Sequence, residues 1–120
     1  MKKIRIVTLG VVATAVLLAW AVPAMAAHSH PAGKTVTVTA TEFKFALSAK
    51  SVPHGTVTFK VVNKGALGHD FSINGKKTPV IKAKGSATLT VTFAKAGNFP
   101  YTCTVPGHAA AGMKGTLKVT

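Results

Sequence analysis

Residues 34–40, KTVTVTA, place Val36, Val38 and Ala40 at every second position, with threonine between them. Successive side chains of a β-strand point to opposite faces of a sheet, so this alternation predicts a strand with one buried and one exposed face. Valine and threonine are also favoured in strands. The stretch therefore predicts a sheet that covers a hydrophobic core on one side.

The same period of two recurs along the rest of the chain. It is seen in EFKFAL (42–47), TVTFKVV (56–62), SATLTVTF (86–93) and GTLKV (115–119). Turn signals such as PHG, NKGALG, KAGN and PGH separate these segments. Seven to eight short strands joined by glycine-containing turns predict an all-β protein, either a β-sandwich or a small barrel.

The first 26 residues have the three parts of an export signal. A basic start, MKKIR, precedes 17 apolar residues (6–22), and Ala24 and Ala26 occupy the small-residue positions of a cleavage site. Cleavage after Ala26 would give a periplasmic or secreted protein. A retained membrane anchor is the alternative, because 17 apolar residues lie at the lower limit for a spanning helix.

Cleavage would leave a short flexible lead-in, residues 27–34, and one domain, residues 35–120. Beyond residue 26 the chain has twelve lysines, no arginine and two acids, Glu42 and Asp70, for a formal charge of +10. Base recognition depends on arginine and single-strand binding on aromatic side chains, so no nucleic-acid partner is expected. We expect a monomer whose lysines steer it toward an acidic surface on a partner protein.

The parity of two strands turns two metal-binding side chains toward the core. In HDFSI (69–73), His69 shares a face with two large apolar residues, which must be buried. In NFPYTC (98–103), the same count places Cys103, the single cysteine of the chain, on the core side with two aromatic residues. Both side chains would then lie near one end of the sandwich if the two strands are neighbours.

The loop TVPGHAAAGM (104–113) supplies two more donors. Its Pro-Gly turn would bring His108 back toward Cys103, and small residues then lead to Met113. Zinc seldom binds a thioether, whereas two imidazoles, one thiolate and a weak axial thioether are the ligands of a blue copper site. We therefore predict that His69, Cys103, His108 and Met113 bind one copper ion that cycles between Cu(II) and Cu(I).

The pattern C-x4-H-x4-M at residues 103–113 resembles that of the cupredoxins, the type 1 blue copper proteins. An upstream GHDFSI (68–73) and a closing KGTLKV (114–119) extend the resemblance, which is greatest to small domains of the rusticyanin and sulfocyanin type. It covers about residues 35–120. The resemblance implies a Greek-key β-sandwich that carries single electrons on one copper ion.

The resemblance also assigns the ligand roles. His69 corresponds to the first histidine, Cys103 to the thiolate, His108 to the second histidine and Met113 to the axial ligand. One position departs from the family pattern, because many members have an asparagine where this chain has Asp70. An ionised carboxylate accepts hydrogen bonds but donates none, so the link to the cysteine loop and the reduction potential stay open.

Several alternatives remain at the level of sequence. The same soft ligands would suit a copper-delivery or storage protein of the cell envelope, and the fold could serve as a metal-free structural domain. A nucleophilic Cys103–His108 dyad lacks an orienting residue in the motif, so no enzyme is expected. His28 and His30 could assist copper loading or simply be solvated, and His54 is expected in an exposed turn.

The last open point concerns the surface beside His108. Val105, Pro106 and the alanines at 109–111 would surround the exposed edge of its ring with small apolar groups. They could form a docking patch for a redox partner, or the alanines could simply fit a tight loop.

Overall fold

The computed structural model describes residues 33–120, together with Gly10 and Ala15. Apart from those two residues, the predicted export signal lies outside the described residues, as do positions 27–32 of the lead-in with His28 and His30. Among the residues that the structure describes, no helix is long and apolar enough to cross a membrane.

The described chain is built from nine β-strands. They are β1 (Lys34–Thr41), β2 (Lys44–Leu47), β3 (Ser51–Val52), β4 (Gly55–Asn63), β5 (Ser72–Ile73), β6 (Lys76–Lys77), β7 (Ser86–Phe93), β8 (Gly97–Thr102) and β9 (Lys114–Val119). The prediction of an all-β sandwich is confirmed. The count exceeds the predicted seven to eight because β3, β5 and β6 have two residues each, too few to produce a recognisable alternation.

The strands form two sheets, and strands distant in sequence pair within each. The four-stranded sheet has the order β2-β1-β4-β7, and the five-stranded sheet has the order β3-β9-β8-β5-β6. β1 runs parallel to β4, while β8 pairs antiparallel with both β5 and β9. Long connections of this kind are typical of Greek-key sandwiches.

The alternating residues of the central strands make the core. The inward positions of β1 and β4 are all fully buried: Val36, Val38, Ala40, Val57, Phe59 and Val61. The five-stranded sheet contributes Leu117 and Val119 of β9, which are also buried in the core. The strand pattern thus predicts correctly which faces of these strands lie inside.

Phe71 connects this core to the end of the sandwich where the predicted ligands lie. Its ring centroid lies 5.2 Å from that of Phe59, 5.3 Å from that of Phe45 and 5.5 Å from that of Tyr101. Aromatic pairs at these separations add to the stability gained from burial alone. Because His69 is only two residues away, the packing of Phe71 also fixes the segment that carries His69.

The alternation predicted for EFKFAL fails at its first aromatic residue. Phe43 precedes β2 and is 37% exposed, whereas Phe45 and Leu47 within the strand are half-buried. The Phe43 ring instead meets the imidazole of His108 edge-on, with centroids 5.1 Å apart. Phe43 therefore packs against the loop that carries His108 and not in the core.

We expect Phe71→Ala to lower the free energy of unfolding of the copper-free protein by about 3–5 kcal/mol, because it removes a buried aromatic ring and leaves a cavity. Thr90→Ala, on the exposed face of β7, is the matched control and should cost less than about 1 kcal/mol. Urea denaturation measures both. A loss below about 1 kcal/mol for Phe71→Ala would show that the packing of this ring contributes little to the stability of the core.

Candidate metal centre

His69 is held by backbone pairing at the end of the sandwich. Its amide donates to the Ile81 carbonyl at 3.1 Å, and the Ile81 amide donates to the His69 carbonyl at 2.7 Å. The side chain is fully buried, as the parity of HDFSI predicts. The imidazole is therefore directed to the interior by a backbone that is hydrogen-bonded in both directions to Ile81.

The loop after β8 folds back on itself through a Pro-Gly turn. Gly107 has a φ of 84°, and the His108 amide donates to the Val105 carbonyl at 3.1 Å. Proline at the second position and glycine with positive φ at the third are the features of a type II turn. The turn returns His108 toward Cys103, as the sequence predicts.

The end of the loop is tied to the residues at its start. The Cys103 amide donates to the Met113 carbonyl at 3.0 Å, and the Met113 amide donates to the His108 carbonyl at 3.1 Å. Backbone hydrogen bonds thus fix the relative positions of Cys103, His108 and Met113 without any contribution from their side chains.

Three side chains form a metal-binding cluster. Nδ1 of His69 lies 3.1 Å from Nδ1 of His108, and Sγ of Cys103 lies 3.6 Å from the same His108 nitrogen. The donor atoms of all three lie within 4.8 Å of one another, and all three residues are buried. Nitrogen and sulfur ligands of one tetrahedral metal ion are separated by about 3.3 Å (N to N) and about 3.6 Å (N to S). The observed spacing therefore fits a single ion.

Met113 lies beside this cluster. Its side chain is fully buried and packs with Ala40 and Cys103 in a small apolar group at the end of the main core. The structure thus brings all four residues selected from the sequence to one place. The axial role of Met113 stays a prediction.

The environment of the thiol favours its protonated form in the absence of metal. Burial raises the pKa of Cys103, and backbone amides of Asp70 and Val105 offset part of this effect. The Asp70 amide lies 3.5 Å from Sγ. A metal ion must displace the thiol proton to bind there, as is usual for thiolate ligands.

Asp70 does form a link to the cysteine loop, with Thr104 as the donor. The Thr104 amide donates to Oδ1 of Asp70 at 2.5 Å, and the Thr104 hydroxyl donates to Oδ2. Asp70 is 2% exposed. A carboxylate cannot donate, but here both donors come from the loop, so aspartate at this position connects the His69 segment to the cysteine loop.

Glu42 is a site residue that the sequence did not reveal. Its Oε1 lies 3.3 Å from Nε2 of His69 and accepts hydrogen bonds from the amides of Ala66 (2.7 Å) and Leu67 (2.8 Å). The hydrogen bond from the Leu67 amide is the main reason that the pKa of Glu42 falls to about 2. The one sequence feature that could have drawn attention to Glu42 is the scarcity of acidic residues, since the 120-residue chain has two.

The surface beside His108 is partly apolar. A pocket of about 420 Å³ is lined by His108 and by apolar residues that include Leu67, Val80, Val105 and Pro106. Leu67 is 47% and Val80 is 62% exposed. The expected Val105 and Pro106 line this pocket, whereas the alanines at 109–111 do not.

His54, the remaining histidine among the described residues, is exposed. Its Nδ1 lies 2.9 Å from the Thr120 carbonyl oxygen. This position agrees with the turn residue expected from the sequence and is separate from the metal-binding cluster.

Comparison with known proteins identifies relatives of this site and fold. The chain is 46% identical over 43 residues to Auracyanin-B from Chloroflexus aurantiacus, and this match covers 36% of the chain and 18% of the relative's length. A crystal structure of auracyanin B has 28% identity and a TM-score of 0.66, covering 72% of this chain and 88% of that chain.

Two further solved structures have the same fold. Rusticyanin from Thiobacillus ferrooxidans is 28% identical with a TM-score of 0.58, covering 73% of this chain and 79% of that one. A copper-containing nitrite reductase from Thermus scotoductus has 21% identity and a TM-score of 0.57, and only 28% of its chain is covered, compared with 73% of this one. The second likeness concerns the fold alone.

The family model of the cupredoxin-like domain matches residues 11–119, which is most of the chain. The two-sheet architecture and the buried histidine, cysteine and histidine cluster agree with this match. The chain therefore belongs to the cupredoxin-like domain family.

Proposed function

We propose that the protein is an exported type 1 copper protein that carries single electrons. The observation that supports this most strongly is the buried donor set of His69, Cys103 and His108, spaced for one ion, with Met113 packed beside the thiol. Copper bound there would supply a Cu(II)/Cu(I) one-electron couple. Export is proposed from the leader pattern in residues 1–26 alone.

The chain's own residues limit how far the ligands can move. His69 is paired with Ile81, Cys103 is joined to the backbone of Met113, and His108 follows a closed turn. Ligands held in this way rearrange little when the charge at the site changes by one electron. A small rearrangement is what an electron carrier requires.

His108 is the proposed point of electron entry and exit. It is 8% exposed, whereas His69 is fully buried and Cys103 is 1% exposed. The apolar residues that line part of the pocket beside it, Leu67, Val80, Val105 and Pro106, would let a partner approach closely there. Lys77 also lines this pocket, and the chain beyond residue 26 has a formal charge of +10, so we propose a redox partner with an acidic docking surface. We propose no nucleic-acid partner, because that part of the chain has no arginine.

A role in electron transfer is favoured over catalysis by the number of donors. Catalytic metal sites keep an open position for a substrate or water, whereas four protein donors fill a tetrahedral set. If Met113 is the fourth ligand, no open position remains. We therefore propose an electron carrier and not an enzyme.

Copper-loaded protein should show an intense visible thiolate-to-Cu(II) charge-transfer band, because the only cysteine must bind as a thiolate. Cys103→Ser should lose this band, while His54→Ala, an exposed turn residue, should keep it. Absorption spectroscopy at stoichiometric copper measures both. A colourless complex of the unmodified protein would rule out the type 1 assignment.

Met113→Gln should keep the blue band and shift the reduction potential, because the axial ligand tunes the copper site more than it holds the metal. Potentiometric titration with spectral detection measures the shift. A potential equal to that of the unmodified protein would mean that Met113 only packs against Cys103.

Electron exchange with an anionic redox partner should slow by about tenfold or more between low and high ionic strength, since salt screens the attraction. Lys77→Gln should weaken this dependence more than Lys118→Gln, because Lys77 lines the pocket beside His108. Lys118 lies near the end of β9, away from the start of the strand next to the cysteine loop. Stopped-flow kinetics at several salt concentrations tests both.

The reduced protein should also retain Cu(I) against a moderate chelator. Copper loss on reduction with slow exchange at every salt concentration would support copper delivery instead.

A further inference from the structure

We propose that Glu42 is a positioning residue of the metal centre. It would orient the His69 ring through Nε2, and its negative charge would stabilise Cu(II) relative to Cu(I). The inference rests on the proposed copper function, and it assigns a role to a residue outside the four expected ligands.

The geometry provides the first argument. Glu42 directly follows β1 and reaches across to the segment that carries His69, 27 residues later. Nδ1 of His69 faces the other donors, so Nε2 is the ring nitrogen left to donate, and it lies 3.3 Å from Oε1 of Glu42. A hydrogen bond from Nε2 leaves Nδ1 free of its proton and aimed at the metal position. Partners of this kind orient ligating histidines and raise their basicity.

The position of the carboxylate is itself closely fixed. Oε1 also accepts the amides of Ala66 and Leu67 at 2.7 Å and 2.8 Å. A Cβ atom at Gly65 would collide with this carboxylate, so the bare glycine backbone allows the close approach. Glu42 therefore cannot turn away from His69 without losing two short hydrogen bonds.

A second side chain supports the same segment from inside. Asn63 is fully buried; its Nδ2 donates to the carbonyls of Leu67 (2.7 Å) and Ile81 (2.8 Å), and its Oδ1 accepts the Gly65 amide at 2.9 Å. The segment is thus held by Asn63 on one side and by Glu42 on the other. Its backbone does not depend on Glu42 alone, so variants at Glu42 are expected to fold.

The charge of Glu42 gives the second argument. The chain has 15 basic residues and only two acids, and both acids hydrogen-bond to site residues or to their immediate neighbours. A carboxylate bonded to a ligating imidazole favours the more highly charged oxidation state of the metal. Glu42 should therefore lower the reduction potential.

The test uses the copper-loaded full chain with Glu42→Gln and Glu42→Ala. Glutamine keeps an acceptor oxygen and a similar shape but removes the charge. We expect Glu42→Gln to lower the ratio of Cu(II) affinity to Cu(I) affinity about tenfold, as is typical when an outer partner is lost. A tenfold change corresponds to a rise in potential of about 59 mV for a one-electron couple.

The matched control is Ser51→Lys, which changes the net charge by the same amount. Ser51 is exposed and pairs with Lys118 near the end of β9. The start of β9, at Lys114, is the part that lies next to the cysteine loop, so Ser51 is at the opposite end of β9 from the metal centre. Its potential should stay close to that of the unmodified protein. An unchanged potential in Glu42→Gln, with the blue band intact, would overturn the electrostatic part of the inference.

A readout on copper-free protein separates this inference from the proposed function. Nitrogen NMR of the His69 ring should show the proton on Nε2 in the unmodified protein and a mixture of tautomers in Glu42→Ala. Amide exchange at Ala66 and Leu67 should accelerate in Glu42→Ala and little in Glu42→Gln. A mixture of His69 tautomers in the unmodified protein would overturn the role proposed for Glu42, whether or not copper gives a blue site. A missing blue band, with the tautomer as expected, would overturn the proposed function instead.

Discussion

The contacts of Asp70 join the two segments that make the metal centre. Its backbone amide lies 3.5 Å from Sγ of Cys103, and its carboxylate accepts two hydrogen bonds from Thr104, 34 residues later. A buried carboxylate is stable only when its oxygens have partners. Losing the two Thr104 donors would therefore leave the buried carboxylate of Asp70 without these partners, at the point where the His69 segment meets the cysteine loop. Together with the pairing of β5 with β8, these contacts hold His69 next to the cysteine loop and so bring the donors together.

Around that link, the site is built on rigid elements. The backbone of His69 pairs with that of Ile81, and Phe71, two residues along, packs among three aromatic rings of the core. Sites supported by packed strands are more precisely placed than sites on free loops. The stability of the sandwich and the geometry of the donors are thus parts of one structure.

The charges of the protein are divided by location. The lysines are spread over strands and turns and create a long-range positive field, which is the basis for the acidic partner surface proposed above. The two acids instead lie against the site residues, where each acts over a few ångströms through hydrogen bonds. Changes to the surface lysines would therefore alter the long-range field, and changes to the acids would alter the site itself.

The sequence by itself determined the buried faces of the strands and which reactive side chains point inward. Alternation along a strand is local, so Val36 and Phe59 could be placed in the core, and His69 and Cys103 could be turned toward it. The Pro-Gly turn before His108 is local as well. Only the tertiary structure decided that Glu42 contacts His69 and that Phe43 packs against His108 and not in the core. Those contacts depend on how the two sheets and their loops pack, and no pattern within a single strand encodes which loops become neighbours.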